Sequence, residues 1–185
     1  MTQISNNKRI AKNTLLLYFR MIFMMAVSLY TSRVVLDALG VEDFGIYNVV
    51  GGVITLFSFV NGAMSSSTQR YITFELGKGN TSQLQKVFQT SMNVHLLVAL
   101  LILFLGETAG LWFFYEKMVI PPLRMVSAFW VYQFSIFTMM IMVVSVPYNA
   151  VIIAHERMST FAYISVFEVL LKLGIVYLLY LTSSD

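Results

Sequence analysis

Five long, continuous apolar stretches fill most of this 185-residue chain, and short charged segments separate them. A helix takes about 20 apolar residues to cross the hydrocarbon core of a bilayer. Lipid offers the backbone no hydrogen bonds, so a spanning segment is a helix or a strand of a closed barrel. Barrel strands are short and alternate apolar with polar residues, whereas these runs are long and uninterrupted. The sequence therefore predicts an all-α, polytopic transmembrane helix bundle of about five spans. They fall at roughly 14–36, 44–67, 87–105, 125–146 and 160–181, in a single transmembrane domain. Only 11% of the residues are charged, against about 25% in soluble domains, which points the same way.

The charges between the spans predict orientation. With the N-terminus in the cytoplasm, that side receives Lys8, Arg9, Lys12, Arg70, Lys78, Lys86 and Arg157. The opposite side receives Arg33, Lys117 and Arg124, with the acids Asp37, Glu42, Asp43, Glu107 and Glu116. Cations gather in cytoplasmic loops, so this placement is the expected one, and the end at Asp185 then lies outside. The net charge of +3 is divided among short loops, which is not the footprint of a nucleic-acid binder. Membrane lipid is the expected surrounding. The first apolar run is too long for a cleavable signal peptide and lacks a small-residue cleavage site. No cysteine is present, which excludes disulfides and thiolate metal sites.

Local signals place the connections. The glycine of Ala38-Leu39-Gly40-Val41 suits a helix C-cap, and Gly77-Lys78-Gly79-Asn80 reads as a polar turn with Thr81 or Ser82 capping the next span. Pro121-Pro122 stops any helix ahead of the fourth span, and Pro147 is expected to end that span. Trp112, Phe113, Phe114 and Tyr115 form an aromatic cluster expected at the outer membrane surface.

Three charges fall inside spans: Arg20, Glu168 and Lys172. Each costs about 2.5–3.5 kcal/mol at a helix centre on insertion scales, so each needs a reason. Glu168 and Lys172 are four residues apart on one helical face, the acid first, in the favourable order. They serve either as a self-neutralising structural pair or as the lining of a wet cavity. Arg20 shares a face with Met24 and Thr31. It either snorkels to the interface or acts as a cavity arginine whose planar fork grips a phosphate. Arg33 reads as an interfacial anchor and a weak ligand candidate. Asn61, with Ser65, Ser66, Ser67, Thr68 and Gln69, makes the end of the second span polar, and a substrate-lining role there is a weaker expectation. His95 reads as a hydrogen-bonded interior histidine. Met139, Met140 and Met142 read as packing or lipid-facing residues. Glycine-rich phosphate loops, paired-histidine metal spacings and Gly-x-Ser-x-Gly elbows are absent, so neither catalysis nor a cofactor is expected.

The stretch Ser32-Arg33-Val34-Val35-Leu36-Asp37-Ala38-Leu39-Gly40-Val41-Glu42-Asp43-Phe44-Gly45-Ile46-Tyr47-Asn48 resembles the first outer loop of bacterial polysaccharide-export flippases. These are the lipid-linked-oligosaccharide translocases of the multidrug/oligosaccharidyl-lipid/polysaccharide superfamily. Thr68-Gln69-Arg70-Tyr71-Ile72 with Glu75-Leu76-Gly77-Lys78-Gly79 is similar to that family's loop between the second and third spans. Val146-Pro147-Tyr148-Asn149-Ala150 and Ala154-His155-Glu156-Arg157-Met158 are similar to the loop between the fourth and fifth.

The resemblance implies two helical lobes around a central cavity, and passage of an undecaprenyl-pyrophosphate-linked glycan across the bacterial inner membrane by alternating access. On that analogy Arg20 and Lys172 meet the pyrophosphate and Glu168 is a coupling or gating partner. Five spans make less than one such lobe, and alternating access needs two repeats rocking about a site between them. The chain is accordingly expected to be an N-terminal portion, inactive without a C-terminal lobe. The rival expectations are a cation-coupled small-molecule exporter of the same superfamily and a non-transporting membrane scaffold subunit.

Overall fold

A computed structural model of the chain describes the backbone of residues 2–55 and 58–183. The side chains of Lys8, Arg9 and Lys12 and the terminal Asp185 lie outside the described set, as do residues 56 and 57 within the expected second span. The described residues are all-α: α1 (Thr2–Thr55), α2 (Ser58–Lys78), α3 (Thr81–Leu105), α4 (Leu111–Glu116), α5 (Met125–Ala154) and α6 (Met158–Ser183). They form two compact units, 1–44 with 156–185, and 45–155.

Four stretches are long and apolar enough to cross a membrane: Thr14–Gly52, Thr81–Glu116, Pro122–Ala154 and Met158–Leu178. The first, at 39 residues, far exceeds one crossing, and Gly40 divides it. Gly40 has φ 75° and ψ 170°, a left-handed backbone that glycine adopts without the Cβ penalty. The expected connector is therefore a sharp break between two helical segments. At the next turn Asn80, rather than Thr81 or Ser82, caps α3: its side-chain oxygen accepts from the Gln83 amide at 3.1 Å. Its carbonyl-bearing side chain does what a hydroxyl one or two residues later was expected to do. Glu116 ends α4, and Pro121, with φ −56° and ψ 138°, is extended. A single 3₁₀ turn, Pro122–Arg124, then leads into α5.

The helix continues through Pro147 to Ala154, contrary to expectation. Proline inside a helix sacrifices one backbone hydrogen bond, a loss that packed membrane helices absorb through neighbouring groups. Pro147 is buried between Val146 and Ala150, which are buried too. Hydroxyls along the spans likewise satisfy themselves. Ser135, Thr138 and Ser145 donate to the carbonyls of Val131, Phe134 and Met142.

The core of the larger unit is built from Val50, Ala99, Ile102, Phe114, Ala128, Tyr132, Ile136, Met139 and Val143. Its key is a π-helical turn, Gly106–Gly110, inserted between α3 and α4. The Gly106 carbonyl accepts from the amide of Leu111, five residues on, and from the phenol of Tyr132 at 2.7 Å. A Cβ on Gly110 would collide with the Tyr132 hydroxyl, and one on Gly106 would lie 2.8 Å from Ile136 Cδ1. Of the expected interfacial aromatic cluster, Phe114 is instead fully buried, its ring 5.3 Å from that of Tyr132. Trp112, Phe113 and Tyr115 remain exposed.

Contacts also fix the relative directions of the helices. Gly106 meets Ile136, and the Phe88 ring meets that of Tyr148, so α5 runs antiparallel to α3. Gly51 lies 3.8 Å from Ser135, measured to its would-be Cβ, and Thr68 bonds Ser91 at 3.2 Å. Within the larger unit Gly51 thus lies beside α5, and α2 runs against α3 in the opposite direction. In the smaller unit Arg20 meets Phe161 and Tyr30 meets Tyr177, so α1 and α6 run parallel. With α2, which carries Arg70, Glu75 and Lys78, the four apolar stretches make up an all-α transmembrane bundle of about five spans.

Two outcomes follow from this packing. Gly110→Ala should lower stability by about 1–3 kcal/mol through overpacking. Adding Tyr132→Phe should make the double variant less unstable than the sum of the singles, measured by thermal unfolding in detergent. Since the chain has no cysteine of its own, Glu42→Cys and Lys78→Cys should react with a membrane-impermeant maleimide from opposite faces. Reaction from one face would mean that 41–78 turns back without crossing.

Candidate functional site

The three charges that the sequence places inside spans all belong to the smaller unit, on α1 and α6. At 100° per residue, Leu16, Arg20, Met24, Val27 and Thr31 form one stripe of α1. All five are half-buried or buried, while Phe19, Ile22, Met25 and Leu29 between them are exposed. Arg20 therefore points inward, on the face shared with Met24 and Thr31. Its guanidinium carbon lies 4.2 Å from the centroid of the Phe161 ring of α6. A desolvated cation over an aromatic face gains about 2 kcal/mol, which offsets part of the cost of holding the charge within the span. The ring accepts no hydrogen bond in the plane of the fork, and Arg20 Nε is buried without a partner. Thr31 is 4% exposed and its hydroxyl is also unpartnered.

On α6, Glu168 and Lys172 lie within about 20° of Phe161 around the helix axis. They continue the stripe that begins at the Arg20 contact, about 10 Å and 16 Å further along at 1.5 Å per residue. Buried Ser165, Val169 and Val176 border the stripe. Both charged residues are exposed. They are not joined as an ion pair, whereas Lys78 and Glu75 on α2 are, at 3.7 Å. A lipid-facing position would leave two charges in hydrocarbon at about 2.5–3.5 kcal/mol each. At membrane depth such a stripe calls for water or further protein against it.

The structure thus gathers Arg20, Glu168 and Lys172 on one helix pair without direct contact among them. Arg33 is exposed on α1, as an interfacial anchor would be. Asn61 is half-buried on α2, in the larger unit, and is not grouped with the charges. Met139 is core, Met140 lines a shallow apolar groove between α3 and α5, and Met142 is exposed. His95 is 2% exposed and its Nδ1 lies 2.7 Å from the Ser91 carbonyl, which makes it the hydrogen-bonded interior histidine the sequence suggests. Sequence reasoning passed over Phe161, an aromatic among many apolar residues of its span. Its only sequence signal is its place seven residues ahead of Glu168, on the same helical face. Among the described residues no cluster of His, Asp or Glu could hold a metal ion.

Comparison with protein-family models, with curated proteins and with solved structures found no match to this chain.

If the stripe is wetted, Glu168→Cys and Lys172→Cys should react with a water-soluble maleimide in intact membranes, while Ile164→Cys, exposed elsewhere on α6, should not. Equal inertness of all three would place the stripe against lipid or tightly packed protein.

Proposed function

We propose that this chain forms part of a transporter that moves a lipid-linked oligosaccharide across the bacterial inner membrane. Arg20 meets the substrate's pyrophosphate, and Glu168 and Lys172 line the same path. One observation carries the reading: a guanidinium held on the inner face of a membrane helix with a buried, unpartnered Nε. An arginine placed only to snorkel would turn its head to the interface and to water. One kept ready for an anion holds a planar set of donors toward it. The exposed Glu168–Lys172 stripe adds support, because those charges require a polar surrounding at membrane depth. Similarity of the loops around Gly40, Gly77 and Pro147 to those of polysaccharide flippases supplies the substrate class.

No bond is made or broken in this reading. Binding energy is differential between two conformations, and the cationic groups act by neutralising phosphate charge in a region of low dielectric. Five spans supply one side of such a path, and a second repeat or subunit supplies the other.

Deleting the encoding gene should strand lipid-linked oligosaccharide on the cytoplasmic leaflet and remove surface glycan. Arg20→Ala should fail to restore export although it reaches the membrane at the wild-type level, and Arg20→Lys, which keeps charge but loses the fork, should restore it in part. Unchanged glycan export on deletion would remove the reading. Loss of export with Arg20→Ala fully active would move the anion site elsewhere.

A further inference from the structure

A second polar place lies in the larger unit and uses none of Arg20, Glu168 or Lys172. Between α2 and α3 is an open groove of about 440 Å³, lined in part by Thr68, Tyr71, Gln83, Lys86, Ser91 and His95. His95 is the informative member. Its Nδ1 lies 2.7 Å from the Ser91 carbonyl oxygen, which only accepts, so Nδ1 carries the hydrogen and donates. The same Nδ1 is 3.4 Å from the Ser91 hydroxyl, and that hydroxyl is 3.2 Å from the hydroxyl of Thr68. With Nδ1 protonated, the neutral ring presents a lone pair at Nε2. That atom is buried and has no partner. An acceptor left unmatched in the interior is costly.

The chemistry of the lining narrows what fills the gap. A lone-pair acceptor repels carboxylate and phosphate oxygens and demands an O–H or N–H. No carboxylate lines the groove, and Lys86 stands in its wall, so a cationic donor is disfavoured. A neutral ligand bearing hydroxyls meets these terms. Thr68 and Ser91 both donate and accept, Gln83 offers an amide, and Tyr71 adds a phenol and a ring face. The space far exceeds the roughly 30 Å³ share of one water and falls in the range of small-molecule sites. We propose that the α2–α3 groove binds a sugar or polyol group, with His95 Nε2 accepting a hydrogen from one of its hydroxyls. The group is either a free sugar or the head of a glycolipid; both offer the same hydroxyls.

The test uses the full chain in nanodiscs of phosphatidylethanolamine and an alkyl glucoside bearing a diazirine, with labelled residues mapped by mass spectrometry. Labelling should concentrate within residues 64–95. It should fall about tenfold in His95→Phe, which fills the volume without the acceptor, as loss of one hydrogen bond predicts. His95→Gln, which restores an acceptor, should recover at least half. Fluorescence of Trp112 and Trp130 reports whether each variant is folded. Should His95→Phe fail to fold, competition on the unmodified chain decides the matter. Octyl glucoside should displace the probe and octyl phosphocholine should not. Competition by glucose as well would identify a free sugar as sufficient, and competition by octyl glucoside alone would identify a sugar-headed lipid. Equal displacement by octyl phosphocholine, absence of labelling in 64–95, or full labelling of a folded His95→Phe would each overturn the proposal.

Discussion

The phenol of Tyr132 fills space that Gly110 of the neighbouring helix leaves open and bonds the Gly106 carbonyl, and the larger unit is organised around that fit. Gly106 and Gly110 bracket a π-helical turn whose wider winding gives the Gly106 carbonyl room for a second donor. Tyr132 supplies it from α5, and its ring then packs with Phe114. One side chain thereby satisfies a backbone group, fixes the register of two antiparallel spans and closes the core. In a bilayer, where lipid tails are as apolar as leucine, association depends on close packing and interhelical hydrogen bonds of this kind. The contact combines both.

Polar groups follow a consistent rule around this core. Serine and threonine hydroxyls mostly bond carbonyls of their own helix, which lets them lie anywhere on the surface. The buried side-chain nitrogens and oxygens left without partners among the described residues are Arg20 Nε, Thr31 Oγ1 and His95 Nε2. Self-satisfaction is thus the default, and the departures from it mark the two places to which function is ascribed. In one the missing partner is an acceptor for a cation's hydrogen. In the other it is a donor for a histidine's lone pair. The two unpartnered groups differ in kind, as contacts to different chemical parts of a ligand, or to different ligands, would.

Much of the architecture is legible in the sequence because bilayer physics allows few choices. Run length gives the helices, and Gly40 and Pro121 give breaks at the residues expected. The inward face of Arg20 follows from its spacing to Met24 and Thr31. What escapes the sequence depends on neighbours distant along the chain. Pro147 does not end α5, because buried packing on either side outweighs one lost hydrogen bond. Phe114 leaves the interface for the core because Tyr132, eighteen residues later, provides a ring to meet it. The spacing of Glu168 and Lys172 suggests an ion pair, but spacing fixes the face and not the rotamer, and the two side chains stand apart. The cation–π contact of Arg20 is invisible without knowing that α1 and α6 are neighbours.

That neighbourhood has a consequence for biogenesis. Tyr30 and Tyr177 are 147 positions apart, and the larger unit is encoded wholly between the two helices of the smaller one. During synthesis α1 enters the membrane ahead of the larger unit, and Phe161 is not translated until every helix of that unit has followed. For that interval Arg20 has no ring to cover it, and the inner stripe of α1 is open to lipid or to insertion factors. The helix that relieves α1 is thus α6, made only after the whole of the larger unit. Any ribosomal pause or truncation between residues 55 and 161 leaves an uncovered arginine in the bilayer, a feature by which membrane quality control can distinguish an unfinished chain.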